Sequence, residues 1–252
     1  MDFIFVSVAS FLAGLVDAIV GGGGLILVPA LFATYPATPP ATLLGTNKSA
    51  SVWGTALAAA QYSRRVRIHW AVMLPAMATA LIGAFAGAWA VTLLDGDFLR
   101  KLLPFILLGV LTYTLARKKL GESHAPRHGP GKAALIACAV GALIGGYDGF
   151  FGPGAGSFFI FLLVRFLGYD FLNASASAKL LNVATNLAAL VLFTAKGHVW
   201  WQVGLAMAVA NMAGSLIGLR LALQHGAGFV RKVFVGVVAV LILKTGSDAF
   251  WR

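Results

Sequence analysis

Two lysines lie inside apolar stretches of the sequence, where a charged side chain is costly. Lys48 and Lys179 each sit about two helical turns into a long segment rich in alanine and leucine. An ammonium group near the centre of a membrane helix costs roughly 2.5–3.5 kcal/mol, so such a residue is expected to face a cavity or a partner. The alternative is that the long side chain bends to the membrane surface. In the first case, the two lysines offer positive charges that can bind an anion.

Hydrogen-bonding side chains share a helix face with each lysine. Around Lys179 the polar residues recur at i, i+4, i+7 and i+11, which is the spacing of one face of an α-helix. The polar residues around the two lysines are Ser175, Asn182 and Asn186 in the second segment and Asn47, Ser51 and Thr55 in the first. Hydroxyl and amide groups next to a cation suit a small oxyanion. The candidate anion-binding side chains are Asn47, Lys48, Ser51, Lys179, Asn182 and Asn186.

Two glycine-rich runs interrupt the apolar segments. Residues 21–24 read GGGG, and residues 152–156 read GPGAG. Non-helical backbone is tolerated at membrane depth only where it is buried in protein or lines a cavity, and the helix after a break presents unpaired N–H groups to an anion. Close packing of helices is the alternative role for these glycines. The candidate binding residues in the runs are Gly21, Gly22, Gly23, Gly24, Gly152, Gly154 and Gly156.

An aspartate precedes each glycine run by four residues. Asp17 and Asp148 lie within apolar segments, where a carboxylate is a common proton carrier in transporters. The same carboxylates can instead pair with Lys48 and Lys179, or with N–H groups of the breaks. The sequence leaves both roles open, and the two aspartates are candidates for proton coupling.

The two halves of the sequence match when one is shifted by 131 positions, the separation of Asp17 and Asp148. Chance similarity between apolar segments would match leucine with valine, but it would not match aspartate, lysine and tryptophan at one offset. The other matched pairs include Gly21 with Gly152, Lys48 with Lys179, and Trp70 with Trp201. We interpret the match as an internal duplication.

Apolar blocks separated by short polar stretches occupy most of the 252 residues. The chain is 60% hydrophobic and 11% charged, with a mean hydropathy of +0.88, whereas soluble domains are nearer half apolar and a quarter charged. The blocks are continuous, whereas a membrane β-barrel would alternate apolar and polar residues. The composition therefore predicts an all-α polytopic membrane protein.

Each half is predicted to be one of two homologous repeats of four to five helical segments, with glycine-rich broken or re-entrant helices. The predicted segments are 3–20, 25–34, 41–62, 70–92 and 98–116 in the first half and 134–151, 156–167, 172–193, 201–223 and 229–247 in the second. The short second segment of each half covers only about half a bilayer. If these short segments cross the membrane, the repeats are inverted. If they are re-entrant, the repeats are parallel, so the sequence leaves the topology open.

A polar linker separates the two predicted repeats. We predict a first membrane repeat over 1–117, a cytoplasmic linker over 118–131 and a second membrane repeat over 132–252. The basic residues of the linker place it in the cytoplasm by the positive-inside tendency. The net charge of +11 comes largely from segment ends, so it indicates membrane topology and not nucleic-acid binding. The lipid bilayer is the expected partner, and the sequence is compatible with a homo-oligomer.

Five sequence blocks resemble the signatures of a known family. Residues 13–29 read AGLVDAIVGGGGLILVP, and GTNK at 45–48 is followed by YSRR at 62–65. In the second half, residues 145–156 read GGYDGFFGPGAG and residues 178–182 read AKLLN. In this order the blocks resemble the sulfite exporter TauE/SafE family, also called the 4-toluene sulfonate uptake permease family. The resemblance extends over nearly the whole chain.

This resemblance implies a multi-pass permease of the bacterial inner membrane with about eight or more helices. Members of the family are linked to sulfite, sulfoacetate and other organosulfonates, and their direction of transport varies. Pro153 and the run of four glycines depart locally from the family pattern, so the resemblance does not select one substrate.

The residues together predict a secondary transporter of a small anion. The favoured substrate is a sulfur oxyanion or organosulfonate such as sulfite or sulfoacetate, bound between the repeats and moved by alternating access coupled to a proton gradient. A passive anion channel, or a permease of another small organic anion, is the alternative. The chain has no Walker A motif, and it has no paired acidic motif, nucleophile–base pair or repeated histidine spacing. We therefore expect no enzymatic activity, metal or cofactor.

Overall fold

The computed structural model describes residues 2–92 and 123–250, and in the last helix it describes side chains only up to residue 236 and at residue 239. The predicted segment 98–116 and the linker residues 118–122 lie outside the described residues. Over the described residues the chain is helical and contains no strand. The all-α class predicted from the composition is therefore confirmed.

Four helices form the first described part of the chain. They are α1 (Asp2–Val20), α2 (Gly24–Thr34), α3 (Pro40–Arg65) and α4 (Trp70–Val91). Pro40 is the first residue of α3, a position that suits proline because the first N–H groups of a helix have no intrahelical partner. α1 ends at the first glycine run, where Gly21 adopts a φ of +73° that residues with a side chain rarely tolerate.

The second described part repeats the order long, short, long, long. Its helices are α5 (Pro130–Phe150), α6 (Ala155–Leu162), α7 (Phe171–Ala195) and α8 (Trp201–Phe250). A π-helical turn, Leu163–Leu167, extends α6, and the side chain of Asp170 caps the start of α7. α8 is interrupted at Gly226, where φ is 70° and ψ is −165°, values outside the helical range, so two helices join at this kink. The kink lies between the segments predicted at 201–223 and 229–247 and agrees with their division.

Five of these helices are long and apolar enough to cross a membrane: α1, α4, α5, α7 and the Trp201–Gly236 part of α8. α3 is also long, with 26 residues, but it is less apolar because it carries the polar face around Lys48. α2 has 11 residues, which at about 1.5 Å per residue covers roughly half of a ~30 Å hydrocarbon layer. The described helices thus build a multi-pass bundle in which α2 and α6 are too short to span it alone.

Small residues mediate the two most extensive helix contacts, α1 with α8 and α4 with α5. A Cβ added at Gly214 would collide with the carbonyl of Phe11, and a Cβ added at Gly145 would lie 2.5 Å from the carbonyl oxygen of Ala80. Such contacts let membrane helices approach closely and gain van der Waals energy. Other glycines in these two contacts are Gly83, Gly87, Gly149 and Gly218.

Gly145→Ala and Gly146→Ala test the α4–α5 contact at neighbouring positions. A Cβ at Gly146 would lie 3.8 Å from the carbonyl oxygen of Gly83, an ordinary contact. Both changes gain up to about 1 kcal/mol of helix propensity, but only Gly145→Ala forces the backbones apart, which costs about 1–3 kcal/mol. We expect the apparent unfolding temperature in detergent to fall for Gly145→Ala and to hold or rise for Gly146→Ala. Equal unfolding temperatures would contradict the contact.

Candidate functional site

The two lysines occupy equivalent positions on α3 and α7. Lys48 lies eight residues after the start of α3 at Pro40, and Lys179 lies eight residues after the start of α7 at Phe171. This is about 12 Å along each helix axis. Their relative exposures are 4% and 0%, so both ammonium groups end inside the protein and neither bends to the membrane surface.

Each lysine forms an ion pair with the aspartate of the other half of the chain. Lys48 Nζ lies 2.7 Å from Asp148 Oδ1, and Lys179 Nζ lies 2.8 Å from Asp17 Oδ2. Of the two roles predicted for the aspartates, pairing with the lysines is present in this geometry, and proton coupling stays a prediction. A buried charge requires a partner at hydrogen-bonding distance, so the pairs connect α3 to α5 and α7 to α1.

Three hydroxyl groups hold the C-terminal end of α1 in place. The last carbonyls of a helix have no intrahelical partner, and in a membrane interior they must find one elsewhere. The hydrogen bonds are donated by Tyr62 Oη to Ala18 O at 3.0 Å, by Ser175 Oγ to Ile19 O at 2.9 Å and by Ser157 Oγ to Val20 O at 2.8 Å. Because the donors belong to α3, α7 and α6, the end of α1 is fixed from three sides, and Asp17 is fixed with it.

The two glycine runs meet each other at the centre of the bundle. A Cβ added at Gly21 would lie 2.5 Å from the Cα of Gly156, and the converse distance is the same. Gly24 faces Pro153 of the other run, and Gly152 has a φ of +93°. Only glycine allows both this approach and the backbone conformation at Gly21 and Gly152. The runs therefore bring the ends of α1 and α5 together, next to the ion pairs.

A small cavity lies where the glycine runs and the polar helix faces meet. Its volume is about 30 Å³, which is room for two or three water molecules at ~10–15 Å³ each. Of the predicted site residues, it is lined by Asp17, Gly21, Gly23, Gly24, Asn47, Lys48, Ser51, Asp148, Gly152, Gly156, Asn182 and Asn186. Gly22, Gly154 and Lys179 are not among its lining residues, although Lys179 is paired with Asp17, which is.

Two amide side chains in this cavity have unsatisfied oxygen atoms. Asn47 Oδ1 and Asn182 Oδ1 are buried and have no hydrogen-bond partner. Buried polar atoms are nearly always paired, with protein or with water. An amide carries an acceptor and two N–H donors at one end, and turning the group exchanges them. Asn47 and Asn182 therefore leave hydrogen-bonding capacity that a water molecule or a ligand in the cavity can use.

Asn211 is a lining residue that the sequence analysis missed. It lies on α8, is buried, and donates a hydrogen bond from Nδ2 to Ser10 O at 3.1 Å. The residue at the matching position of the first half is Ala80, so a search for features present in both halves passes over Asn211. The signal that could have found it is an asparagine within an otherwise apolar segment.

The side chains of this centre are suited to binding charge and to hydrogen bonding. It contains lysine, aspartate, asparagine, serine and threonine, with Thr55 Oγ1 3.3 Å from Asp17 Oδ2. Over residues 2–92 and 123–250, no group of three or more histidine, cysteine, aspartate or glutamate side chains is placed to hold a metal ion. These groups can donate and accept hydrogen bonds, and the carboxylates can take up a proton.

Helices long enough to cross a membrane surround a buried polar centre, so this is a multi-pass membrane protein. Similar chains are named as membrane transporters, which places it in that class. The family model described as "Sulfite exporter TauE/SafE" matches residues 6–245. The chain therefore belongs to the sulfite exporter TauE/SafE family, and the resemblance found in its sequence blocks is confirmed.

Similar chains carry transporter names. ORF9 of a Sinorhizobium species, a probable membrane transporter protein, is 35% identical over 244 residues, covering 97% of this chain and 92% of its own length. The probable membrane transporter protein YfcA of Escherichia coli K12 is 38% identical over 241 residues, covering 95% and 88%. A probable membrane transporter protein of Haemophilus influenzae is 37% identical over 245 residues, covering 96% and 93%. No solved structure matches the chain.

The crossed ion pairs predict which double variants keep the fold. Lys48→Met leaves Asp148 as an unpaired buried charge, a loss of about 3–5 kcal/mol. Adding Asp148→Asn removes that charge and should restore most of the stability. Adding Asp17→Asn instead leaves Lys179 unpaired as well and should lower the stability further. The folded fraction of each variant during SDS titration measures this, and rescue by Asp17→Asn in place of Asp148→Asn would show the pairing to be wrong.

Proposed function

We propose that this chain is a secondary transporter whose central cavity binds a small anion, with a sulfur oxyanion or organosulfonate such as sulfite or sulfoacetate favoured. The observation that carries the proposal is the pair of buried lysines whose ammonium groups are neutralised, among the described residues, by Asp148 and Asp17 beside this cavity. A bound anion can take over the role of a carboxylate next to an ammonium group, which a cation or an apolar solute cannot do.

The size and hydrogen-bonding groups of the cavity favour a compact oxyanion. About 30 Å³ accommodates a few oxygen-sized groups and excludes a bulky organic ligand unless the site opens. The amides of Asn47 and Asn182 have free hydrogen-bonding capacity, and the hydroxyl of Ser51, which donates to Asn47 O at 2.7 Å, adds a donor if it turns toward the ligand. The glycine runs add backbone N–H groups at the starts of α2 and α6, where anions are stabilised. Sulfite presents a few oxygens to such donors.

Proton coupling follows from charge balance at the ion pairs. Each ammonium group is already neutralised, so an added anion would leave the centre with an unbalanced negative charge. Protonation of the displaced aspartate removes this imbalance, and one proton then enters with one anionic charge. The side chain of Asp17 is 16% exposed and that of Asp148 is 7% exposed, so Asp17 is the more accessible proton acceptor. Anion binding should therefore strengthen as the pH falls.

The proposal includes an internal duplication and alternating access. Its support is the shared order of long and short helices, the lysines at matching depths on α3 and α7, and the exchange of partners between the halves. α1 packs on α8 while α4 packs on α5, so each close helix pair joins one helix from either half. Rocking of these bundles against each other, with one ion pair opening at a time, would expose the cavity to each side in turn.

A passive anion channel is the second candidate function. A channel requires a continuous wet path, whereas the central cavity holds only a few water-sized groups and is bordered by the two ion pairs. This favours a site that binds and releases its ligand over an open pore. Saturation of the flux and its dependence on a proton gradient distinguish the two functions.

Flux into proteoliposomes tests the proposal with sulfite, sulfoacetate, taurine, sulfate and chloride, each with and without an imposed pH gradient. Asn182→Leu removes a hydrogen bond to a charged ligand, about 1.5–3 kcal/mol, so we expect a loss of about tenfold or more in kcat/KM for the transported anion. Lys48→Met should abolish coupled flux. Lys196→Ala is the control, because it removes an exposed lysine far from the cavity and should leave the flux unchanged.

Two results of the flux measurements would contradict the proposed function. Flux of a cation or a neutral solute that is indifferent to Lys48 and Lys179 would overturn the anion site. Anion flux that does not saturate and ignores the pH gradient would favour the channel.

A further inference from the structure

A second cavity, of about 400 Å³, lies at the end of the bundle where α3 ends and α4 and α7 begin. Its polar lining comes from Arg65, Arg67, His69, His124 and Asn173. Arg65 is 17 residues beyond Lys48 on α3, which is about 25 Å along the helix axis. The cavity is therefore separate from the central site, and the residues of the two sites do not overlap.

This end cavity carries positive charge that no ion pair among the described residues neutralises. Arg65 and Arg67 have no ion-pair partner over residues 2–92 and 123–250. The nearby carboxylate is Asp170, which caps α7 by accepting hydrogen bonds from Asn173 N and Nδ2, both at 2.7 Å. Asp170 also lies 3.8 Å from His124 Nδ1. Among the described residues, Asp170 is thus engaged by the start of α7 and by His124, and no ion pair joins it to Arg65 or Arg67.

Two imidazole rings are stacked at the wall of the end cavity. The ring centroids of His69 and His124 are 5.9 Å apart with an interplanar angle of 18°, and Tyr169 contacts both rings. Burial lowers the pKa of His124, while Asp170 raises it and His69 lowers it further. An anion beside the stack would favour the protonated form of His124, against the effect of burial.

The loop at the matching position of the second half gives a contrast. Lys196 and His198 stand 131 positions after Arg65 and Arg67. Lys196 Nζ donates to Thr92 Oγ1 at 2.9 Å, and His198 Nδ1 lies 3.2 Å from Thr42 Oγ1. Those two side chains are satisfied by hydroxyl groups of the protein itself. Membrane topology accounts for basic residues in the loop after α3, but it does not account for a cavity with stacked imidazoles around them.

We propose that the end cavity is a second anion-binding site, which takes an oxyanion group of the phosphate or sulfite type on Arg65 and Arg67, with His69 and His124 as further donors. A guanidinium group binds two oxygens of such an anion at once. The oxyanion has two sources, a free anion in water or the phosphate of a lipid headgroup at the membrane surface. The site does not depend on what the central cavity transports.

Calorimetry on the purified chain in lipid-free detergent tests binding of inorganic phosphate and of sulfite. Arg65→Gln/Arg67→Gln removes both guanidinium groups, each worth at least one charge-assisted hydrogen bond, so the affinity should fall by about tenfold or more. The matched control, Lys196→Gln/His198→Gln, should bind as the wild type does. Asn182→Leu should also keep this binding, which separates the end cavity from the central one.

A lipid-binding experiment distinguishes the two sources of the oxyanion. Native mass spectrometry after reconstitution with phosphatidylglycerol or phosphatidylcholine reports which lipid stays bound. Retention of phosphatidylglycerol by the wild type and the control, and its loss from Arg65→Gln/Arg67→Gln, assigns the site to a lipid headgroup. Loss of binding of the free anions alone assigns it to a soluble oxyanion. If phosphate, sulfite and phosphatidylglycerol all bind the two double variants equally, the proposal is overturned.

The pH dependence of phosphate binding gives a second readout. An anion stabilises the protonated imidazole of His124, whose pKa burial places below the ordinary histidine value. Compared with a variant that lacks the imidazoles, wild-type binding should therefore tighten as the pH falls below that value. His124 contacts His69 just ahead of α4 and Tyr169 and Asp170 ahead of α7, and it shares the cavity lining with Arg65 and Arg67 at the end of α3. His69→Asn/His124→Asn should flatten this dependence while keeping part of the affinity. A wild-type affinity whose pH dependence matches that of this variant would refute the imidazole contribution.

Discussion

An ammonium group buried between membrane helices must be neutralised at hydrogen-bonding distance, and the centre of this protein is organised around meeting that requirement twice. Lys48 and Lys179 have their partners on α5 and α1, so these two helices have to end at the depth of the lysines. The chain that follows each of these helices needs glycine, because the backbones of the two glycine runs touch at Gly21 and Gly156. The freed carbonyls of α1 also need donors, which hydroxyls from three other helices provide.

Much of this centre could be predicted from the sequence because its features are expensive in a membrane. Charged residues and glycine runs within apolar segments stand out against their surroundings, and twelve of the fifteen predicted site residues line the cavity. Pairing of the lysines with the aspartates was one of the predicted alternatives. Which aspartate pairs with which lysine could not be predicted, since this depends on how α1 packs on α8 and α4 on α5. Asn211 was not predicted because the residue at the matching position of the first half is not polar.

The helix pattern followed from periodicity and composition, while its details depended on tertiary contacts. Apolar runs located every described helix, and the glycine runs located both breaks. The form of the break at Gly226 was not predictable, because a glycine between two apolar runs is compatible with a loop as well as with a kink that joins two helices directly. The hydroxyl contacts to the end of α1 could not be predicted either, since Tyr62 and Ser157 have no special spacing in the chain, and the spacing of Ser175 marks its helix face but not its partner.

The exchange of partners between the halves has a consequence for biosynthesis. Ribosomes add about 5–20 residues per second, and Asp148 follows Lys48 by 100 residues, so Lys48 waits about 5–20 s for its partner to be made. Asp17 waits longer, because Lys179 follows it by 162 residues. During this interval the newly made first half contains Asp17 and Lys48, whose final partners have not yet been synthesised. Its helices must remain loosely inserted, with these two groups hydrated or paired with each other, until the second half arrives and completes the bundle.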